Sequence, residues 1–276
     1  MTPSALFWLL IAAAFLGLLI FVLRQRRQIH QIERLLDDTH GRLERLQLHF
    51  ARFAPEDVVE RLTEPSGDLI ASRRMVTVLF ADLKGFTAMC DRLDPELVLQ
   101  ILNGYFREMS QAITAHHGRV TELIGDGLLA LFGALEPNPW QAQDAVLGAL
   151  AMREALTRYN VTLRERSLPE LEVGIGIHRG ELLAGVMGNE ELSKFGVVGD
   201  TINVASRVER LTRELAADLL ITDEVRCQLD SRFRLREMPA VSVKGKPEPL
   251  KTYQVEGLAT TMQPASGSGS VETLGH

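Results

Sequence analysis

Cysteine is scarce in this chain. The two that occur, Cys90 and Cys227, lie far apart and show no metal-ligand spacing. Neither a disulfide framework nor a thiolate zinc site can be built from them, so they read as reduced thiols of a cytosolic domain. Basic charge is not in excess either. There are 30 Lys and Arg against 36 Asp and Glu, a formal net charge of −6, which argues against a nucleic-acid partner. The marks of disorder are also missing over most of the length, since 46% of residues are apolar and 24% charged. A chain of 276 residues has room for one ordinary catalytic domain plus accessories.

Residues 1–23 carry no charged side chain. Ala5 to Leu23 is an apolar run interrupted only by Gly17, and as a helix it would span about 28 Å, near the roughly 30 Å hydrocarbon core of a bilayer. Arg24, Arg26 and Arg27 follow at once, and no basic residue precedes the run. That asymmetry predicts an N-terminal transmembrane anchor with the rest of the chain in the cytoplasm. A cleaved signal peptide would want a basic start and small residues after the run, where arginines stand instead. The expectation is a single-pass protein of the cytoplasmic (inner) membrane, with no external sensor domain.

Residues 24–54 have a second pattern. Ile29, Ile32, Leu36, Thr39, Leu43, Leu46, Phe50 and Phe53 are spaced alternately by three and four, with charged residues on the flanks. This seam, polar only at Thr39, predicts a parallel two-stranded coiled coil and hence a homodimer; an amphipathic helix packed on the body is the other reading. Pro55 opens a short helix, and residues 55–74 read as that helix plus a linker. A compact domain is expected over 75–257, and the Ser/Gly/Thr-rich 258–276 reads as a disordered tail.

Within the compact domain, Met75 to Ala81 reads as a buried strand and Pro95 to His116 as a helix. Arg119 to Ile124 and Leu128 to Phe132 read as strands joined by Gly125-Asp126-Gly127, a hairpin signal. Trp140 to Tyr159 is helical. Leu171 to Ile177 and Glu181 to Val186 read as a second hairpin turning at Arg179-Gly180. Thr201 to Leu215 is a helix, and short strands near 219, 233 and 252 follow. The order predicts an α+β sandwich with one largely antiparallel sheet.

Asp82 closes the first strand, and Asp126 sits at the tip of the first hairpin. Alone, each is an ordinary turn or cap residue. Strand ends of one sheet can bring two such carboxylates together, and divalent cations then relieve their repulsion. Oxygen ligands without a His or Cys cluster point to Mg²⁺ or Mn²⁺. Asn203 and Arg207 share one helix face at i, i+4, and Arg is suited to a bidentate grip on phosphate. Lys244-Gly245-Lys246 adds a positive loop late in the domain.

The stretches VTVLFADLKGFT, ELIGDGLLALFG, GIGIHRGELLAGVMG, FGVVGDTINVASRVE and VSVKGKPEPLKTY resemble, in order and spacing, the signatures of the class III adenylyl and guanylyl cyclases. The likeness covers about residues 55–257 and is identified with the single-transmembrane bacterial type. It implies a ferredoxin-like α/β sandwich and a shared active site at a homodimer interface. It also implies a nucleoside triphosphate substrate and two divalent cations, Mg or Mn. By this resemblance Asp82, Asp126 and the carbonyl of Leu83 are metal ligands, and the amides of Gly85, Phe86 and Thr87 cradle phosphates. Asn203 orients the ribose, Arg207 stabilises charge on the transferring phosphate, and Lys244 binds the triphosphate.

Two positions depart from the family's adenylyl pattern. Adenylyl cyclases usually place Lys where this chain has Glu122, and Asp or Thr where it has Gly196; guanylyl cyclases place Glu and Cys. A carboxylate can accept from guanine N1–H and its 2-amino group, whereas adenine N1 is itself an acceptor. The expectation is therefore GTP to cGMP, with ATP to cAMP as the alternative. A catalytically silent dimeric signalling module would have lost one of Asp82, Asp126, Asn203 or Arg207, and all four are present. The Gly-Gly-(Asp/Glu)-Glu-Phe turn of diguanylate cyclases is missing.

Overall fold

The computed structural model describes residues 72–134, 136–188, 193–241 and 249–259, all in the second of two compact units, which begins at Ile70. The expected membrane anchor, coiled coil and short helix lie outside the described residues, as do Lys244 and residues 260–276 of the tail. No helix among the described residues is long and apolar enough to cross a membrane.

The first strand, β1 (Ser72–Leu83), is buried on both faces along its middle. Leu79, Ala81 and Leu83 face one apolar core, and Val76, Val78 and Phe80 face a second. This two-sided burial explains the continuous MVTVLFA run, since a strand with one wet face would alternate. A five-residue helix, α1 (Phe86–Cys90), follows, and then α2 (Pro95–Thr114). Asp94 caps α2 by accepting from the Glu96 amide at 2.9 Å, and Pro95 opens it. Its buried stripe of Ile101, Tyr105, Met109 and Ile113 lies on the Leu79 side of the sheet.

Strands β2 (Arg119–Ile124) and β3 (Gly127–Phe132) form the expected hairpin. Helix α3 (Gln141–Glu165) returns over the same face as α2 and leads into β4 (Val173–Gly188). The sheet order β2-β3-β1-β4, antiparallel throughout, with α2 and α3 on one face, is the ferredoxin-like arrangement. Strand β5 (Ser193–Val198) pairs with β4, and helix α4 (Asp200–Glu214) crosses the opposite face. Strand β6 (Leu219–Thr222) adds parallel to β4, and a one-turn helix, α5 (Asp223–Arg226), follows it. Strands β7 (Phe233–Glu237) and β8 (Thr252–Leu258) close the far edge, giving one mixed sheet in an α+β domain.

The second expected hairpin is not there. Arg179 and Gly180 lie in the middle of the β1–β4 ladder, opposite Thr77 and Val76, and β4 runs unbroken for 16 residues. Gly180, which suggested the turn, serves helix packing instead, since a Cβ there would lie 2.7 Å from Thr201 Oγ1, and two more glycines of β4 do the same. A Cβ at Gly176 would lie 2.2 Å from the Glu209 amide nitrogen, and one at Gly174 would lie 2.3 Å from Thr212 Oγ1. Helix α4 can therefore lie directly on β4 only because these positions have no side chain. The chain reverses later, between β4 and β5, a strand that ends just before the helix expected over 201–215.

Candidate active site

Asp82 is the next-to-last residue of β1 and lies on the same strand face as Phe80 and Val78. The register Ala81↔Leu128 sets it beside the two-residue turn between β2 and β3. Gly125, at a left-handed φ of 62°, closes that turn and places Asp126 at its tip. A Cβ on Gly127 would lie 3.1 Å from Asp82 Oδ1, so the glycine leaves room for the carboxylate. Burial first, and then the negative charge of Asp82, hold the Asp126 carboxyl above its ordinary range.

No group of three or more His, Cys, Asp or Glu side chains is placed to hold a metal among the described residues. The donor set that does occur is two adjacent carboxylates and the Leu83 carbonyl. That set suits a hard cation that takes its remaining ligands from substrate phosphates and water, as Mg²⁺ does. A cationic group already lies on it. Arg213, from the last turn of α4, places Nη2 2.5 Å from Asp82 Oδ2 and 3.3 Å from the Leu83 carbonyl oxygen. Its Nη1 is 3.3 Å from Glu209 Oε1. Glu209 is buried against β4, and that burial raises its carboxyl to about 7, the Arg213 charge opposing and the Asp82 charge adding. Tyr105 approaches from below the sheet end. Its hydroxyl is buried without a hydrogen bond and held protonated by burial and by the charges of Asp82, Asp126 and Glu209.

The loop after β1 turns at Gly85, with φ 70°, and enters α1 at Phe86 and Thr87. The first turn of a helix leaves its N–H groups without helical partners. Lys84 anchors this loop through its amide to the Glu172 carbonyl at 2.8 Å and through Nζ to the Ala217 carbonyl at 2.8 Å.

Glu122 and Gly196 meet. They line one cavity of about 190 Å³ with Thr121, Phe80, Leu131 and Ile202. A register shift in β2 between Val120 and Glu122 sets Glu122 opposite Leu129. Ile202 ties this cavity to α4, where Asn203 is exposed and Arg207 half-buried.

Asn203 and Arg207 are not brought to the carboxylates of their own chain. At 3.6 residues per turn they lie about 80° and about 120° around α4 from Arg213, the residue that touches Asp82. They are also set back along the axis by about 15 Å and about 9 Å. Neither makes a hydrogen bond or ion pair with Asp82 or Asp126. Arg213 and Glu209 were missed in the sequence. The available signal was a charged residue, Glu209, inside the buried stripe of Ala205, Val208 and Thr212, followed at i+4 by an arginine.

Residues 70–257 match the model of the adenylate and guanylate cyclase catalytic domain. The chain is 32% identical over 239 residues to an adenylate cyclase of Anabaena cylindrica, covering 83% of this chain and 47% of that protein. It is 31% identical over 211 residues to adenylate cyclase 1 of Rhizobium meliloti (strain 1021), covering 76% and 32%. The chain thus spans about half, or less, of the length of these relatives. Among solved structures, the guanylyl cyclase Cya2 superposes with a TM-score of 0.65 at 34% identity, over 70% of this chain and 96% of that one. The adenylyl cyclase CyaB from P. aeruginosa superposes with a TM-score of 0.63 at 28% identity, over 68% and 96%.

Proposed function

The chain belongs to the family of adenylate and guanylate cyclase catalytic domains, and from that premise we propose that it closes a nucleoside triphosphate to a 3′,5′-cyclic nucleotide and pyrophosphate, as a homodimer with shared sites. One observation carries this reading. Asp82, Asp126 and the Leu83 carbonyl converge at one sheet end, while Asn203 and Arg207 face away from them. A twin chain would supply what each half lacks.

In that assembly Asp82, Asp126 and the Leu83 carbonyl would hold two divalent cations, Mg or Mn. When bound, these supply Lewis-acid chemistry, acidifying the ribose 3′-hydroxyl and neutralising the triphosphate. The amides at Gly85, Phe86 and Thr87 would receive phosphate oxygens, and by the family resemblance Lys244 would bind the triphosphate. Asn203 of the twin chain orients the ribose for in-line attack on the α-phosphorus. Arg207 of the twin chain balances charge that builds on the transferring phosphoryl group. Positioning and electrostatics carry the rate.

The favoured base is guanine. Glu122 shares its cavity with Gly196, and a carboxylate there accepts from guanine's N1–H and 2-amino groups. The second reading, ATP to cAMP, is supported by the names of the curated relatives, which are adenylate cyclases. A silent signalling dimer has less support, since the site positions keep their reactive residues. The apolar run Ala5–Leu23 supports anchoring in the cytoplasmic membrane with the catalytic domain inside. Turnover of the purified protein with ATP and with GTP separately, in Mg²⁺ and in Mn²⁺, tests the reading. Conversion of neither removes it, and a higher kcat/KM for ATP reverses the base assignment.

A further inference from the structure

Arg213 makes the closest polar contact with the candidate metal ligands, yet it belongs to none of the motifs. Its guanidinium spans two acidic poles. The outer one is Asp82, whose side chain is 31% exposed, and the inner one is Glu209, 5% exposed. At the outer pole it also donates to the Leu83 carbonyl, so it touches two of the three groups assigned to the cation. A divalent cation needs those oxygens at about 2.1 Å and in fixed directions, which the Arg N–H groups now take. Two positive groups against the same oxygens also repel. Guanidinium and metal are therefore alternatives there.

The inner pole is where the guanidinium can go. Glu209 stands one turn earlier on α4, at i, i+4 from Arg213. Its Oε1 is buried and makes no hydrogen bond in this arrangement, so acceptor capacity remains there. Arg213 itself is exposed. We propose that Arg213 is a resident counter-ion of the metal carboxylates. A divalent cation displaces it from Asp82 and Leu83, it withdraws onto Glu209, and this exchange sets the metal concentration at which the site fills. The step exchanges one cation for another and forms no covalent bond. It rests on the metal-site reading of Asp82 and Asp126.

The test is a Mn²⁺ titration of the full-length, nucleotide-free protein at pH 8, with free Mn²⁺ followed by electron paramagnetic resonance. Arg213→Met keeps the apolar stem and removes the guanidinium. It should bind Mn²⁺ about tenfold more tightly than wild type, the scale on which a neighbouring charge moves a carboxylate. Glu209→Gln should weaken binding, because the guanidinium then has no second anion. That weakening should vanish in the Arg213→Met background, whereas a direct effect of Glu209 on the metal would persist. Should Arg213→Met not fold, Arg213→Lys carries the same test. An ammonium cannot grip both oxygens as a fork, so its affinity should also exceed wild type.

Equal or weaker Mn²⁺ affinity in the folded Arg213 variant overturns the proposal, as does a Glu209→Gln effect that survives in the double variant. Asp82→Asn separates the two levels. Binding lost with Asp82 but indifferent to Arg213 sinks the counter-ion alone. Binding that outlasts Asp82→Asn sinks the metal-site reading and the counter-ion with it.

Discussion

If the site is shared, two dead chains should make one live dimer. Consider Asp82→Asn, which removes a carboxylate proposed to hold metal, and Arg207→Ala, which removes the guanidinium on α4. Within one chain Arg207 lies about 9 Å along α4 and about 120° around it from the residue that touches Asp82. A complete site would then draw Asp82 from one protomer and Arg207 from the other. Homodimers of either variant have two incomplete sites, and loss of one charge-stabilising group costs about 100-fold or more. A mixed dimer has one site with both lesions and one with neither. Coexpression with two different tags, followed by tandem purification, isolates mixed dimers alone. Their turnover per dimer should be about half of wild type, a rise of about 50-fold over either parent. Product formation is read by chromatography. Mixed dimers as inactive as their parents would refute the reasoning, and so would full-rate turnover by a monomer.

Other perturbations address the base cavity, the buried acid and the helix seat. Glu122→Lys should lower kcat/KM for GTP relative to ATP by about 100-fold, because an ammonium meets guanine's donors with another donor; steady-state kinetics on both substrates checks this. Glu209 is raised from 4.5 to about 7 in the fold. Its contribution to stability is thus fully present below pH 4.5 and is lost as pH rises through about 7. Glu209→Gln should therefore match wild type near pH 5 and exceed it near pH 8, by up to about 3 kcal/mol, in urea denaturation at the two pH values. Gly176→Ala would drive a methyl into the backbone of α4 at Glu209. It should destabilise by about 3 kcal/mol, at the upper end of overpacking costs, measured as a lowered urea midpoint with unchanged slope.

Much of the domain was legible because its elements carry local signals. The apolar run of β1, the stripe of α2 and the Gly125-Asp126 turn each express a period or a backbone conformation that neighbours in sequence decide. The β4 error has the same origin. Arg179-Gly180 looks like turn chemistry when read along the chain, yet the missing side chain of Gly180 answers to Thr201 on a helix about 20 residues later. Strand β5 escaped because its residues adjoin a helix start, and only the ladder to Leu183–Gly188 reveals it as a strand.

Asp82, Asp126, Asn203 and Arg207 were identifiable as residues of interest from order and spacing in the chain, and Glu122 and Gly196 from the resemblance to the cyclase family. Their grouping was not. The Ala81↔Leu128 register puts the two aspartates side by side, β5 carries Gly196 to Glu122, and the docking of α4 on β4 turns Asn203 and Arg207 away while aiming Arg213 at Asp82. Periodicity and turn chemistry are set by near neighbours and so survive in one dimension. Register and helix docking are settled by pairings far apart in the chain, and these exist only once the sheet has formed.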